Sequence, residues 1–195
     1  MPSTPRQSIG PQRNPDSQKA ILDAAQELLA EKGLGGFSIE EVARRARAGK
    51  PTIYRWWPTK TQLLLEVYGR IKERLDYPDS GSLEGDVAGF LINVIAFWRN
   101  TEAGQIFRSV FAGSPADPDA QRALVEYHKN QINRTAALFL RPHGATPSPT
   151  PPEAHILAET VAAYALVQLI MNNLEISETE LRTVANQIVQ GLLLS

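Results

Sequence analysis

The stretch FSIEEVARRARAGKPTIYRWWPTK, residues 37–60, reads as two short helices joined by a tight turn, with a third helix starting behind them. Ser38 followed by Glu41 forms a capping box, and Phe37 is placed to pack on Val42 as a hydrophobic staple, so a helix starts near Ile39. Ile39, Val42, Ala43 and Ala46 recur on one face at helical spacing and leave Glu40, Glu41, Arg44, Arg45 and Arg47 outside. Ala48-Gly49 interrupts the run. A second helix opens near Lys50, since Pro51 is tolerated only in a first turn, where its missing N–H has no partner to lose. Pro58 closes it.

In so short a helix Thr52, Tyr54, Arg55 and Trp56 cannot all be buried. Lys, Thr, Tyr and Arg together suit a nucleic-acid backbone and groove: cations and hydroxyls donate to phosphate oxygens, and Lys or Arg also reads guanine edges. A helix-turn-helix presents its second helix this way. Thr59 then caps the next helix, with Gln62 at the capping-box position and Lys60 in the first turn. A cation there opposes the helix dipole by roughly 0.3–1 kcal/mol at an exposed position, and a docked phosphate reverses that sign.

Residues 18–68 resemble the tetracycline-repressor (TetR) family of bacterial transcription regulators, whose head follows F-[ST]-x-x-x-[IV]-A-x-x-A-G-V-x-x-x-T-[IL]-Y-x-x-[FW]-x-x-K-x-x-L-[LV]. Here the pattern reads Phe37, Ser38, Val42, Ala43, Ala46, Arg47, Ala48, Thr52, Ile53, Tyr54, Trp57, Lys60, Leu63 and Leu64. Arg47 and Ala48 depart from it, standing where the family usually has Gly-Val. An Arg in a left-handed turn position costs about 1 kcal/mol if the geometry is kept; the alternative is a turn shifted by one residue to use Gly49. The resemblance implies that Lys50 and Pro51 meet base edges, that Thr52 and Tyr54 meet phosphates, and that Lys60 holds a phosphate at the next helix. Trp57 falls where the family has a buried aromatic. Ser38, Arg47, Arg55 and Trp56 complete the candidate DNA-binding set.

Outward from this stretch, residues 1–15 carry Pro2, Pro5, Pro11 and Pro15 among polar neighbours and read as a disordered arm, in which Arg6 and Arg13 either follow a groove or are simply solvated. Asp16 is placed to cap the first long helix, with Ile21, Ala24, Ala25, Leu28 and Leu29 on one face and Gly33 at its end. The helix from Thr59 to about Leu75 turns Leu63, Leu64, Val67, Tyr68 and Ile71 inward, and Tyr77-Pro78 marks the boundary with the body. Residues 16–76 thus form a helix-turn-helix head and residues 77–195 an effector-binding and dimerisation body, all-α, with about nine helices in total. A helix touching phosphate at one end and the body at the other is the natural lever between them.

In the body, Val87, Phe90, Leu91, Val94, Ile95 and Trp98 form an apolar stripe, a shorter helix follows, and Asp117-Pro118 opens a long one. Phe90, Phe97, Trp98, Phe107, Phe111 and Tyr127 are candidates for an effector pocket with polar orienting groups at Asn93, Arg108 and His128, although core packing explains each aromatic equally well. Such a pocket, which the resemblance implies, favours a largely apolar or aromatic effector. The proline-rich loop RPHGATPSPTPP follows, with His143 and His155 in or beside it and expected to be solvated. The last two helices, capped at Thr150 and at Ser177 with Glu180, are too continuously apolar for one-sided burial. They read as a twofold subunit interface through Val161, Tyr164, Leu166, Gln168, Leu169, Leu181, Val184, Ile188 and Leu192. The resemblance implies the same dimer, reading a palindromic operator with two heads about one DNA turn apart.

The chain of 195 residues is 43% hydrophobic and 21% charged, and it contains no cysteine, which leaves no disulfide, thiolate metal site or Cys nucleophile. The net charge of −1 hides an asymmetry: residues 1–76 hold 13 Lys and Arg against 9 Asp and Glu, residues 77–195 hold 7 against 12. A basic head on an acidic body is compatible with DNA binding, which depends on the local patch. No apolar run approaches the ~18 residues that cross a membrane, and the opening residues lack a signal-peptide core, so a cytoplasmic protein is expected. P-loop, GxGxxG, HExxH and GxSxG patterns are missing, and the three histidines share no ligand spacing, so neither an enzyme, a metal site nor a cofactor is expected. The competing reading is a helical protein-protein adaptor whose Arg face and YRWW bind a protein, with DNA binding that is weak and insensitive to sequence.

Overall fold

The computed structural model describes residues 14–144 and 148–193, the side chains of residues 192 and 193 apart. The expected arm at residues 1–13 lies outside them. The described residues form nine α-helices with two short 3-10 turns: α1 Pro15–Lys32, α2 Ile39–Arg45, α3 Lys50–Trp56, α4 Lys60–Lys72, α5 Leu83–Asn100, α6 Ala103–Gly113, α7 Pro118–Phe139, α8 Pro151–Ile170 and α9 Glu178–Leu193. In the head, α1 packs on α2 and α4 while α2 packs on α3; in the body the main pairings are α5 with α9 and α7 with α8. α4 belongs to both, packing on α1 and also on α6 and α7.

The local signals act much as their chemistry dictates, with instructive exceptions. Asn14, not Asp16, caps α1, its Oδ1 accepting from the Asp16 and Ser17 amides; Pro15 already occupies the first helical position, so Asp16 lies inside the helix. Ser38 Oγ accepts from the Glu41 amide at 3.2 Å, but the Glu41 carboxylate does not return the bond. It is drawn to Arg44 and Arg45 instead. At Thr59 the reciprocal box with Gln62 is complete.

The turn between α2 and α3 does not shift to Gly49. Arg47 takes the left-handed conformation at φ 50°, while Gly49 sits at φ −72° as an extended N-cap of α3. The register of the pattern is therefore kept and Arg47 carries the strain that a glycine avoids.

One other expectation is overturned. His143 is not solvated: it is 2% exposed, its Nε2 3.2 Å from the carboxylate of Asp86, itself buried on α5. Asp86 also accepts from the Ser80 amide at 2.7 Å and has Arg141 at 3.6 Å, so one buried acid ties the loop after α4 to the loop after α7. His155, though exposed, is held by the Pro151 carbonyl and Asn133. Finally, α8 as a whole is long and apolar enough to cross a membrane by length and composition, although no unbroken apolar run is. Here it packs against α7, α5 and α9.

Candidate DNA interface and effector cavity

α3 is anchored from below by Ile53, fully buried, and Trp56, 8% exposed. Trp56 is thus not a groove contact: three residues after Ile53, it falls on the same buried face and meets Trp57 edge-on, with ring centroids 5.8 Å apart. Trp57 is core, and its indole N–H donates to Glu66, which Gln18 of α1 also bonds. That burial turns Lys50, Pro51, Tyr54 and Arg55 to the surface and leaves Thr52 half-buried.

The cations of this surface are held loosely. Lys50 pairs with Glu40 across the turn at 2.8 Å, both side chains half exposed or more. Lys60 donates to the Phe37 carbonyl at 3.0 Å and lies 5.3 Å over the Phe37 ring, so the expected phosphate ligand is parked on the loop before α2. Ser38 is spent as the N-cap of α2. Arg47 is exposed at the turn. Arg44 and Arg45 face elsewhere electrically: both bind Glu41, whose carboxyl they hold down at about 2, and Arg45 also binds Glu31.

Behind the head, α4, α5, α6, α7 and α8 line a cavity of about 270 Å³. Five expected residues line it: Phe90, Trp98, Phe107, Tyr127 and His128. Asn93, Phe97, Arg108 and Phe111 do not. Asn93 donates to the Asp76 carbonyl, Phe97 packs on the Tyr68 ring, Arg108 donates to Asn172 and Phe111 is exposed. Tyr68 and Lys72, one turn apart on α4, complete the wall with Thr135, Gln131 and Glu159. Neither was expected in the pocket: periodicity turns Tyr68 inward on the lever helix without saying what it meets, and the i, i+4 spacing of Tyr68 and Lys72 was the available signal. Tyr68 stacks on Phe107 at 4.5 Å and accepts from the Trp98 indole at 3.0 Å. α6 approaches the end of α5 closely at Gly104, its second residue, where a Cβ would come within 2.5 Å of the Trp98 carbonyl oxygen, and Phe107 stacks on the Trp98 ring.

The expected subunit surface needs correction. Val161, Leu169 and Leu181 are buried in the chain's own core, on the faces that α8 and α9 turn toward the rest of the body. Tyr164, Leu166, Gln168, Val184 and Ile188 are half-buried, Leu166 against the cavity, and the Leu192 side chain lies outside the described residues. The large apolar side chains that α8 exposes are Ile156, Val167 and Ile170, with Met171 just beyond.

Residues 21–67 match the profile of bacterial regulatory proteins of the tetR family, and residues 77–188 match the tetracyclin repressor-like C-terminal domain. The chain belongs to the tetR family. An uncharacterized HTH-type transcriptional regulator of Bacillus subtilis, YdeS, is 34% identical over 105 residues, 53% of each chain, so the match spans about half the length of that relative. Among solved structures, a TetR transcriptional regulator from Rhodococcus sp. RHA1 superposes with a TM-score of 0.58 at 21% identity, over 92% of this chain and 96% of that one. BioQ, solved with its double-stranded DNA operator, gives 0.60 at 15% identity over 94% and 100%. At these identities the likeness establishes the shared family fold.

Proposed function

We propose that this tetR-family chain is a ligand-responsive transcriptional regulator: a homodimer that binds a palindromic DNA operator and represses, releasing it when a largely apolar or aromatic molecule fills the body cavity. The observation that carries the reading is α4. Its first turn holds Lys60 at the exposed edge of the head, and its last turns supply Tyr68 and Lys72 to the cavity wall. Twelve residues of continuous helix separate Lys60 from Lys72, about 18 Å, so a shift at one end is delivered to the other. A ligand that favours the arrangement with the heads misplaced for DNA lowers operator affinity by linkage.

DNA as the partner is supported by the cations of α3 and α4, whose present partners are a solvent-exposed carboxylate and a backbone carbonyl, both readily exchanged for phosphate. BioQ, of the same fold, is solved on an operator. The exposed Ile156, Val167, Ile170 and Met171 support a second copy as the body's partner. Such a protein acts in the cytoplasm, where its operator is.

The test is selection of fragmented source-genome DNA by the purified full chain at about 0.15 M salt, where non-specific phosphate binding is weakened. Recovery of a few sites sharing an inverted repeat supports a dimeric regulator. Recovery of random fragments, with no copurified ligand on the protein, would instead favour the adaptor.

A further inference from the structure

The effector cavity holds a charge that the protein leaves unanswered. Its wall is apolar where Phe90, Trp98, Phe107 and Leu166 meet, yet Lys72 enters it from α4. Among the described residues no carboxylate pairs with Lys72, and the charged group that acts on it, Arg134 on α7, has the same sign. Burial, with Arg134 adding repulsion, pushes the ammonium down to about 8, so at neutral pH it is still mostly a cation. The acid in the wall is already engaged: Glu159 lies 3.0 Å from His128 Nε2, and the side chains are 55% and 49% exposed, which puts the pair at the rim. The Tyr127 hydroxyl is buried beside the Tyr68 hydroxyl, its hydrogen-bond neighbour on α4. Burial raises its pKa, so it remains an O–H donor.

A cavity with one uncompensated ammonium and aromatic walls asks for a ligand of definite charge. A cation meets repulsion from Lys72. A neutral molecule removes water from the ammonium and gives nothing back. An anion supplies the missing partner in a charge-assisted hydrogen bond, which is strongest where water is excluded. We infer that the effector is a small aromatic or otherwise ring-bearing carboxylate, its carboxylate held by the Lys72 ammonium and its apolar body lying among Phe90, Trp98 and Phe107. The volume of about 270 Å³ is just below the usual range for drug-sized ligands, which keeps the acid small. This rests on the reading of the cavity as the effector site. It also names the handle: the anion pulls on α4 itself, the helix that presents Lys60.

The experiment is titration calorimetry of the full chain with 2-naphthoate and with its neutral isostere 2-naphthamide. Wild type should bind the carboxylate at least tenfold more tightly than the amide. Lys72→Met, which replaces an unpaired ammonium with an apolar chain of similar length, should erase that preference, with amide affinity rising because no ammonium is then stripped of water. Lys72→Arg should retain it, and Ala162→Phe, which fills the cavity, should abolish binding of both probes. Equal binding of the two probes by wild type, or a preference that survives Lys72→Met, overturns the anion assignment and leaves the effector cavity standing. Binding that survives Ala162→Phe, or no binding of either probe to wild type, overturns the anion assignment and the cavity reading together.

Discussion

The recognition helix α3 and the body cavity are built from the same kinds of side chain, basic and aromatic, but hold them in opposite ways. On α3 the aromatic Trp56 is buried and the cation Lys50 is out in solvent, paired with Glu40 on the surface. In the cavity the aromatics face an open space and the cation Lys72 is inside with them, without a counter-ion. An exposed cation is stable with water alone and exchanges partners freely, which suits a long polyanion met along a surface. A cation half-buried in an apolar wall is costly until it is paired, which suits one small ligand held in one place. The two ends of α4 thus speak to two anions by different physics.

The widest contrast to break is that α3 displays its polar face only because its other face is anchored. Ile53→Ala should remove about 2–5 kcal/mol of stability, as large-to-small core changes do, and DNA binding should fall with it in urea-melt and gel-shift measurements. If DNA binding survives a loss of that size, the anchor does not position the face.

In the body the corresponding anchor is polar. Asp86→Ala leaves the Ser80 amide and His143 without their acceptor and should cost about 1–3 kcal/mol at neutral pH. Burial pushes the Asp86 carboxyl up, but the bonds from Ser80 and His143 and the charge of Arg141 hold it net below its ordinary 3.8. Its contribution is therefore complete above that value and is lost as pH falls through the lowered one. The gap between wild type and the variant in thermal melts should close on acidification; a gap that widens there refutes the assignment.

Lys50→Ala tests the exposed side directly, with an expected loss of about 1–3 kcal/mol in operator affinity and a changed base preference. Affinity and preference both unchanged would mean that another part of α3 faces the groove. The smallest effect is at the turn, where Arg47→Gly relieves a left-handed side chain and should raise stability by about 1 kcal/mol, read as a shift in the urea midpoint.

Most of the fold was legible because its signals are local. A cap acts on an amide three residues away and proline acts on its own position, so Ser38, Thr59, Asp117 and Pro51 mark helix starts without knowledge of anything distant. The errors share the opposite property. Trp56 looked like a contact because polar-tipped aromatics look alike until a neighbour covers them. His143 looked solvated because its partner, Asp86, is 57 residues away. Asn93, Phe97, Arg108 and Phe111 have the right composition for a pocket but the wrong side of their helices.

What the sequence by itself determined is the all-helical order, the helix-turn-helix, the basic head and the polar face of α3. These follow from spacing, capping and charge along a few consecutive turns. The register of the turn, with Arg47 rather than Gly49 at its left-handed position, waited for the backbone. Which aromatics enclose a cavity, which face of α8 is left for another molecule, and that Lys72 enters an apolar space without a counter-ion were decided only by the tertiary structure. Each depends on how far a given helix is rotated against partners dozens of residues away, and helical periodicity groups residues on a face without saying what that face will meet.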